Sequence, residues 1–199
     1  MRNLIIATRN RHKTAEMSAI LGPGWQVTDL TSRRDLPEPE ENGKTFEENA
    51  IIKAVAASQS LDGLVLADDS GLEVDLLGGA PGIRSARYAG DKATDQQNRL
   101  RLLEELARLN HAAEEPVTAR FRCAVAIAQA GKPLGAFTGS VEGRIVLAEA
   151  GSGGFGYDPL FIPHGYTQTF AELDSTTKNL LSHRARAMAQ AIKWLADEK

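Results

Sequence analysis

Two carboxylates stand side by side in LADDSGLEVD, residues 66–75, where an apolar run ends. A buried carboxylate is costly unless a cation or hydrogen-bond donors meet it. Successive side chains of a strand point to opposite faces, so Asp68 and Asp69 cannot enter one pocket while the strand stays regular. Two arrangements are open: one aspartate serves a site while the other anchors a turn, or the strand has already ended. A turn needs a single cap, and α/β sheets place ligands at the carboxyl ends of their strands. One carboxylate for a metal or a water, and the other for geometry, accounts best for the pair.

Glu38, Glu40 and Glu41 form a second acidic stretch, just before a helix starting near Thr45. Glu38 reads as a solvated loop charge. Mg²⁺ uses only one or two carboxylates, with waters and substrate phosphates completing its octahedron. One glutamate of Glu40 and Glu41, with one aspartate of the pair, would suffice.

The cationic candidates are scattered. TRNRHK, residues 8–13, follows an apolar strand directly and enters a helix. That junction is a ready anion site, to which Thr8, Asn10 and Lys13 add donors. It lacks the glycines and the GK[ST] ending of a P-loop, which disfavours ATPase or GTPase chemistry of that type. Lys53 lies mid-helix beside the apolar face, where a lysine can snorkel. Lys178, His183 and Arg184 surround the start of the last helix, with Ser182 as its cap. GSGGFG, residues 151–156, has the GxGxxG form of a dinucleotide fingerprint, but YDPLFIP follows instead of a helix, so that reading fails. A loop presenting Phe155, Tyr157 and Asp158 fits better: a ring to stack on a base and a carboxylate to accept hydrogen bonds. His12, His111 and His164 have no paired ligand spacing, which argues against zinc.

These residues need a scaffold. NLIIAT (3–8), WQVTDL (25–30) and LVLA (64–67) read as strands. Helices are predicted over Met17, Ile20 and Leu21, from Thr45, from about Thr94, and over Ala185, Met188, Ala189, Ile192 and Leu195. Thr45 with Glu48, and Thr94 with Gln97, have capping-box spacing. Leu100, Leu103, Leu106 and Ala107 are the expected buried stripe of the third helix. Residues 119–143 alternate and turn at Gly131-Lys132 as an antiparallel hairpin, while 76–90 is a glycine-rich loop. Strand–helix alternation followed by a hairpin implies an α/β fold with a mixed sheet.

The chain has 199 residues, 42% hydrophobic and 25% charged, enough for one globular domain with a sizeable core. A net charge of −3 gives no basic face for a nucleic-acid polymer. No stretch approaches the ~20 apolar residues of a membrane span, and the amino terminus lacks a signal peptide's apolar region. The single cysteine, Cys123, reads as a core residue in a reducing compartment, so the expected location is cytoplasmic.

Together these stretches resemble one family, the inosine/xanthosine triphosphate pyrophosphatases, or Ham1-like house-cleaning nucleotidases. The matching pieces are TRNRHK, EENGKTFEENAIIKA, LADDSGLEVDLLGGAPGIRSARYAG, GGFGYDPLF and SHRARAM, in order from residue 8 to residue 188. The resemblance implies one domain over residues 1–199, an elongated mixed sheet flanked by helices, with two lobes, a central active cleft and a homodimeric state. It implies Mg²⁺-dependent hydrolysis of ITP, dITP, XTP and dXTP to the monophosphate and pyrophosphate. Thr8, Arg9, Asn10, Arg11, His12 and Lys13 would cradle phosphates, with Lys53 nearby; Arg9 occupies a place where many relatives have glycine. Asp69 would act as general base and metal ligand, with Glu40, or else Glu41, as the other carboxylate. Ser70, Phe155, Gly156, Tyr157, Asp158, Lys178, His183 and Arg184 would bind substrate. The rival readings are a phosphatase or pyrophosphatase acting on other modified nucleotides, and a non-catalytic nucleotide-binding module.

Overall fold

The computed structural model describes residues 2–109 and 115–197, so His111 lies outside the described residues. Among the described residues six strands form one sheet in the order β2-β1-β3-β4-β5-β6. They are β1 (Arg2–Ile6), β2 (Trp25–Asp29), β3 (Val65–Val74), β4 (Val117–Gln129), β5 (Lys132–Ile145) and β6 (Phe161–Pro163). The α-helices described are α1 (Arg11–Leu21), α2 (Phe46–Ser58), α3 (Asp95–Arg108), α4 (Ser175–Leu181) and α5 (His183–Asp197). β1 pairs in parallel with β2 and with β3, whereas β5 and β6 are antiparallel, so the sheet is mixed. Among the described residues no helix is long and apolar enough to cross a membrane.

The chain divides into two compact units. The first comprises Met1–Asp69, Cys123–Gly139 and Ser182–Lys199, the second Ser70–Arg122 and Ser140–Leu181. In the first, Leu4 and Ile6 of β1, Leu66 of β3, Val125 and Ile127 of β4, Met17 of α1 and Met188 and Leu195 of α5 make one apolar cluster. In the second, Leu72, Leu102, Leu106, Phe121, Phe161 and Phe170 make another. β4 and β5 are joined through Ala130 and Gly131, at φ 50° and 75°. A two-residue hairpin turn of the primed kind needs positive φ at both central positions, and the turn sits one residue earlier than Gly131-Lys132.

Several expectations need correction. β3 does not stop at Asp68: it runs through both aspartates to Val74. Asp68 and Asp69 are therefore strand residues on opposite faces, and neither anchors a turn there. In α3 the buried positions are Asn98, Leu102 and Leu106, with Leu103 partly buried; Leu100 is 50% exposed and Ala107 is also exposed. A polar residue sets the phase of that helix: Asn98 accepts from the Ala89 amide at 2.8 Å and donates to the Ala86 carbonyl at 3.1 Å. A count of apolar residues cannot register it. α5 likewise buries Ala187 and Ala191 and exposes Ala189. Residues 76–90 are not loop throughout, since two short 3₁₀ turns, Asp75–Leu77 and Gly82–Arg87, occupy much of the stretch. Thr94 and Gln97 form the full reciprocal capping box. At α2 only half of it forms: Thr45 accepts from the Glu48 amide, while the Glu48 carboxylate accepts from the Lys44 amide.

Candidate active site

In the first unit, β3 projects its two aspartates into different ion networks. Asp68 is 3% exposed. Lys13 of α1 reaches its two oxygens at 3.1 and 3.0 Å, and Arg184 of α5 donates to Oδ2 at 3.0 Å. Burial alone would raise the Asp68 pKa, but Lys13, Arg184 and Lys53 outweigh it and hold the carboxyl well below the usual range. Arg184 is 1% exposed, and its other terminal nitrogen donates to Glu16 of α1. A chain of alternating charge therefore runs Glu16, Arg184, Asp68, Lys13.

Asp69 faces α2. Lys53 Nζ lies 2.9 Å from its Oδ1, and Asn49 Nδ2 donates to its Oδ2 at 3.3 Å. Burial raises the Asp69 pKa, against the attraction of Lys53 and Lys13 and with the help of Glu41. Lys53 also lies 3.3 Å from Glu41 Oε1. Burial would lower the Lys53 pKa, yet Asp69, Asp68 and Glu41 together raise it, so the ammonium is retained. Glu41 is half-buried beside Lys53, whereas Glu40 is exposed.

The turn before α1 serves the helix first. Asn10 Oδ1 accepts from the amides of His12 and Lys13, at 2.9 and 3.3 Å, and Thr8 Oγ1 accepts from the Asn10 amide at 3.1 Å. The side-chain oxygens of Thr8 and Asn10 are thus acceptors here. Arg11 and His12 are exposed. Arg9 turns away to the acidic loop: it pairs with Glu38 and donates to the Arg33 and Leu36 carbonyls. Glu38 is therefore ion-paired and not simply solvated.

In the second unit, Asp158 and Lys178 form a buried ion pair at 2.6 Å, with side chains 4% and 6% exposed. The Lys178 ammonium lies 4.9 Å from the Phe155 ring centroid and 5.7 Å from that of Phe170. Asp158 Oδ2 also accepts from the Phe155 amide at 2.8 Å. A Cβ on Gly154 would stand 2.0 Å from that same oxygen, which, with its φ of +69°, explains the glycine. Tyr157 is buried and donates from its hydroxyl to the Ser85 carbonyl at 2.9 Å. The Gly156 amide donates to Asp95 at 2.7 Å, and its carbonyl accepts from Arg99 at 2.8 Å. The loop is thus held from within by Tyr157 and Asp158, and Phe155 is its half-buried aromatic. Ser70 is half-buried; in the first unit His183 and Arg184 are buried at the start of α5, where the Ser182 hydroxyl accepts from the Ala185 amide as expected of a cap.

Sequence reading missed Asn49 and Glu16. The legible signal for Asn49 was its place one turn before Lys53 in ENAIIKA, where a polar residue interrupts an apolar helix face. For Glu16 there was none, since Arg184 lies 168 positions away.

The donor set suits a hard cation. Asp69 and Glu41 offer carboxylate oxygens around a retained ammonium, and hard ions take such ligands in ones or twos. Among the described residues no three His, Cys, Asp or Glu side chains converge.

An α/β fold with a mixed sheet, whose third strand meets Lys13, Lys53 and Arg184 through adjacent carboxylates, sets the class of this protein. More narrowly, the chain belongs to the Ham1 family, whose sequence profile matches residues 4–194. It is similar to the dITP/XTP pyrophosphatase of Bacillus licheniformis, 49% identical over 94% of this chain and 95% of that protein. The dITP/XTP pyrophosphatase of Bacillus subtilis is 46% identical over 98% of each. Among solved structures, a HAM1 protein from Coxiella burnetii superposes with a TM-score of 0.85 at 38% identity, over 99% of this chain and 100% of that one. The Ham1 protein of Staphylococcus aureus does so at 0.82 and 36%, over the full length of both chains.

Proposed function

We propose that this protein hydrolyses non-standard purine nucleoside triphosphates, dITP, ITP, XTP and dXTP, to the monophosphate and pyrophosphate, clearing them from the nucleotide pool. The observation that carries the chemistry is Asp69: a buried carboxylate with a raised pKa, held by Lys53 and Asn49 beside Glu41. The names and near-half identity of the relatives support the substrate class.

In this reading Asp69 accepts a proton from a water whose oxygen bonds to the α-phosphorus. The α–β anhydride bond breaks, and its electrons leave with pyrophosphate. Lys53 and Asn49 hold Asp69 for this step, one on each carboxylate oxygen. Lys13 and Lys53 offset charge on the phosphates, since phosphoryl chemistry is mostly positioning and charge neutralisation. Mg²⁺ is the proposed cofactor, held by Asp69 with Glu40 or Glu41, and when bound it neutralises triphosphate charge. Lys53 lies beside Glu41, which supports Glu41 for that part.

Donors aimed at O6 would favour a 6-keto purine over adenine, which would leave them unpaired. His183, Arg184 and backbone amides are the candidates; Arg184 would have to leave Asp68 or Glu16 to reach a base. Thr8 to Lys13 for phosphates, and Ser70, Phe155, Gly156, Tyr157, Asp158 and Lys178 for substrate, rest on the family resemblance. So does a homodimer, which sedimentation would test. A reducing, cytoplasmic location is supported by Cys123, a lone buried thiol whose pKa burial pushes up to about 12.

The test is product analysis with dITP, XTP, dGTP and ATP, with and without Mg²⁺, resolving pyrophosphate from orthophosphate. Pyrophosphate from dITP and XTP only, and only with metal, is expected. Orthophosphate release, or equal use of ATP, would return the function to the rival nucleotide hydrolases.

A further inference from the structure

Asn49 is fully buried on α2. Its carboxamide spans two partners: Nδ2 donates to Asp69 Oδ2 at 3.3 Å, and Oδ1 accepts from the Gly43 amide at 2.9 Å. Lys53, one turn further along the helix, spans a similar pair: Asp69 Oδ1 at 2.9 Å and Glu41 at 3.3 Å. Two struts thus run in parallel from the two oxygens of Asp69 to one loop, a charged strut through Lys53 and a neutral one through Asn49.

The two differ in what a substrate can do to them. A polyphosphate competes with Asp69 and Glu41 for the Lys53 ammonium, so the charged strut loosens when Lys53 turns to phosphate. The neutral strut has no charge to be drawn away. A side-chain amide offers a carboxylate a donor and a backbone N–H an acceptor at once, from two separate atoms held at a fixed distance. Aspartate in its place would set an acceptor against Asp69, and leucine would leave the Gly43 N–H and one Asp69 oxygen unmet. The loop is fitted to this contact: a Cβ on Gly43 would lie 2.6 Å from Asn49 Oδ1 and 2.8 Å from Glu48 Cβ. Close approach, with no demand on φ, makes residue 43 a glycine.

We propose that Asn49 is a positioning residue that holds the general base Asp69 and the acidic loop at Glu40–Gly43 at fixed spacing while Lys53 changes partner. Its consequence for turnover rests on the pyrophosphatase reading; the strut itself does not. Asn98 supplies a control, being another buried asparagine, which bridges a backbone donor and a backbone acceptor in the second unit.

The experiment has two arms. Hydrogen exchange of the residue-43 amide is followed in wild type, Asn49→Leu and Asn98→Leu, without metal or nucleotide. The Mg²⁺ concentration giving half-maximal pyrophosphate release from ITP is then measured for these and for Gly43→Ala, which disturbs the contact from the loop side should Asn49→Leu fold poorly. Asn49→Leu is expected to speed exchange at Gly43, and both Asn49→Leu and Gly43→Ala to raise the Mg²⁺ requirement about 10-fold, the usual scale for groups that orient metal ligands. Asn98→Leu is expected to lower the Tm and move neither quantity. Unchanged exchange in Asn49→Leu, or an Mg²⁺ requirement within about twofold of wild type in both site variants, would reduce Asn49 to a core asparagine and overturn the proposal. Absence of pyrophosphate release from wild type would instead overturn the functional reading, and the exchange arm would still decide the strut.

Discussion

The two faces of β3 at Asp68 and Asp69 carry the same side chain in opposite electrostatic states. On one face Asp68 meets Lys13 and Arg184, and its carboxyl is held ionised far into acid. On the other, burial wins over Lys53, and the Asp69 carboxyl takes a proton more readily than an ordinary aspartate. A shift of one residue along a strand changes the face, so the pleat alone is enough to give the two carboxylates different partners and opposite pKa shifts. Asp68 is the anchor of a cation pair, and Asp69 is the carboxylate proposed as the general base.

Substitution should separate them cleanly. Asp68→Asn leaves Lys13 and a fully buried Arg184 short of an anion, and removing one partner of a buried pair costs about 3–5 kcal/mol. A fall in the urea midpoint reports it, and an unchanged midpoint would show that Glu16 alone satisfies Arg184. Asp69→Asn is expected to keep the fold and lower turnover by roughly 10²-fold or more, the scale of general-base loss. Near-normal pyrophosphate release by that variant would move the base elsewhere.

Acid sharpens the contrast. The folded pKa of Asp68 is lowered, so its contribution to stability is complete above the unfolded value, about 3.9, and is lost as pH falls through the folded value. Wild type and Asp68→Asn should therefore differ most above pH ~4 and converge below it, which denaturation midpoints across that range will reveal. Lys13→Ala should raise KM more than it lowers kcat, because Lys13 is assigned to phosphate binding; a KM equal to wild type would confine it to Asp68. The smallest effect belongs to the exposed Arg9–Glu38 pair. Glu38→Gln should change stability by under about 1 kcal/mol and leave kcat alone.

Local signals were legible in the sequence because the chain carries their cause nearby. The caps at Thr94 and Ser182 and the hairpin depend on neighbours within a few residues, while β1 forms as read but buries only Leu4 and Ile6, with Asn3 exposed. The continuation of β3 through DDSGLEV was not legible: carboxylates inside a strand are costly, and the cations that make them tolerable sit 55 and 116 positions away. The same distance hides Glu16. α3 shows the converse, since one buried asparagine rotated a stripe that apolar counting had placed on Leu100. Candidate residues could be named from type and order, but which of them touch could not.

The interleaving of the first unit also sets a timetable for biosynthesis. Leu4 and Ile6 share an apolar cluster with Met188 and Leu195, and Arg184 is made 180 residues after Leu4. Domains otherwise tend to fold from the amino terminus as they emerge, and closure over so long a separation is slow. A nascent chain halted before Ser182 would carry Asp68 without its arginine and β1 without its covering helix. The first unit therefore closes only once α5 has been made, and translational stalling just ahead of Ser182 should yield a chaperone client in place of a partial enzyme.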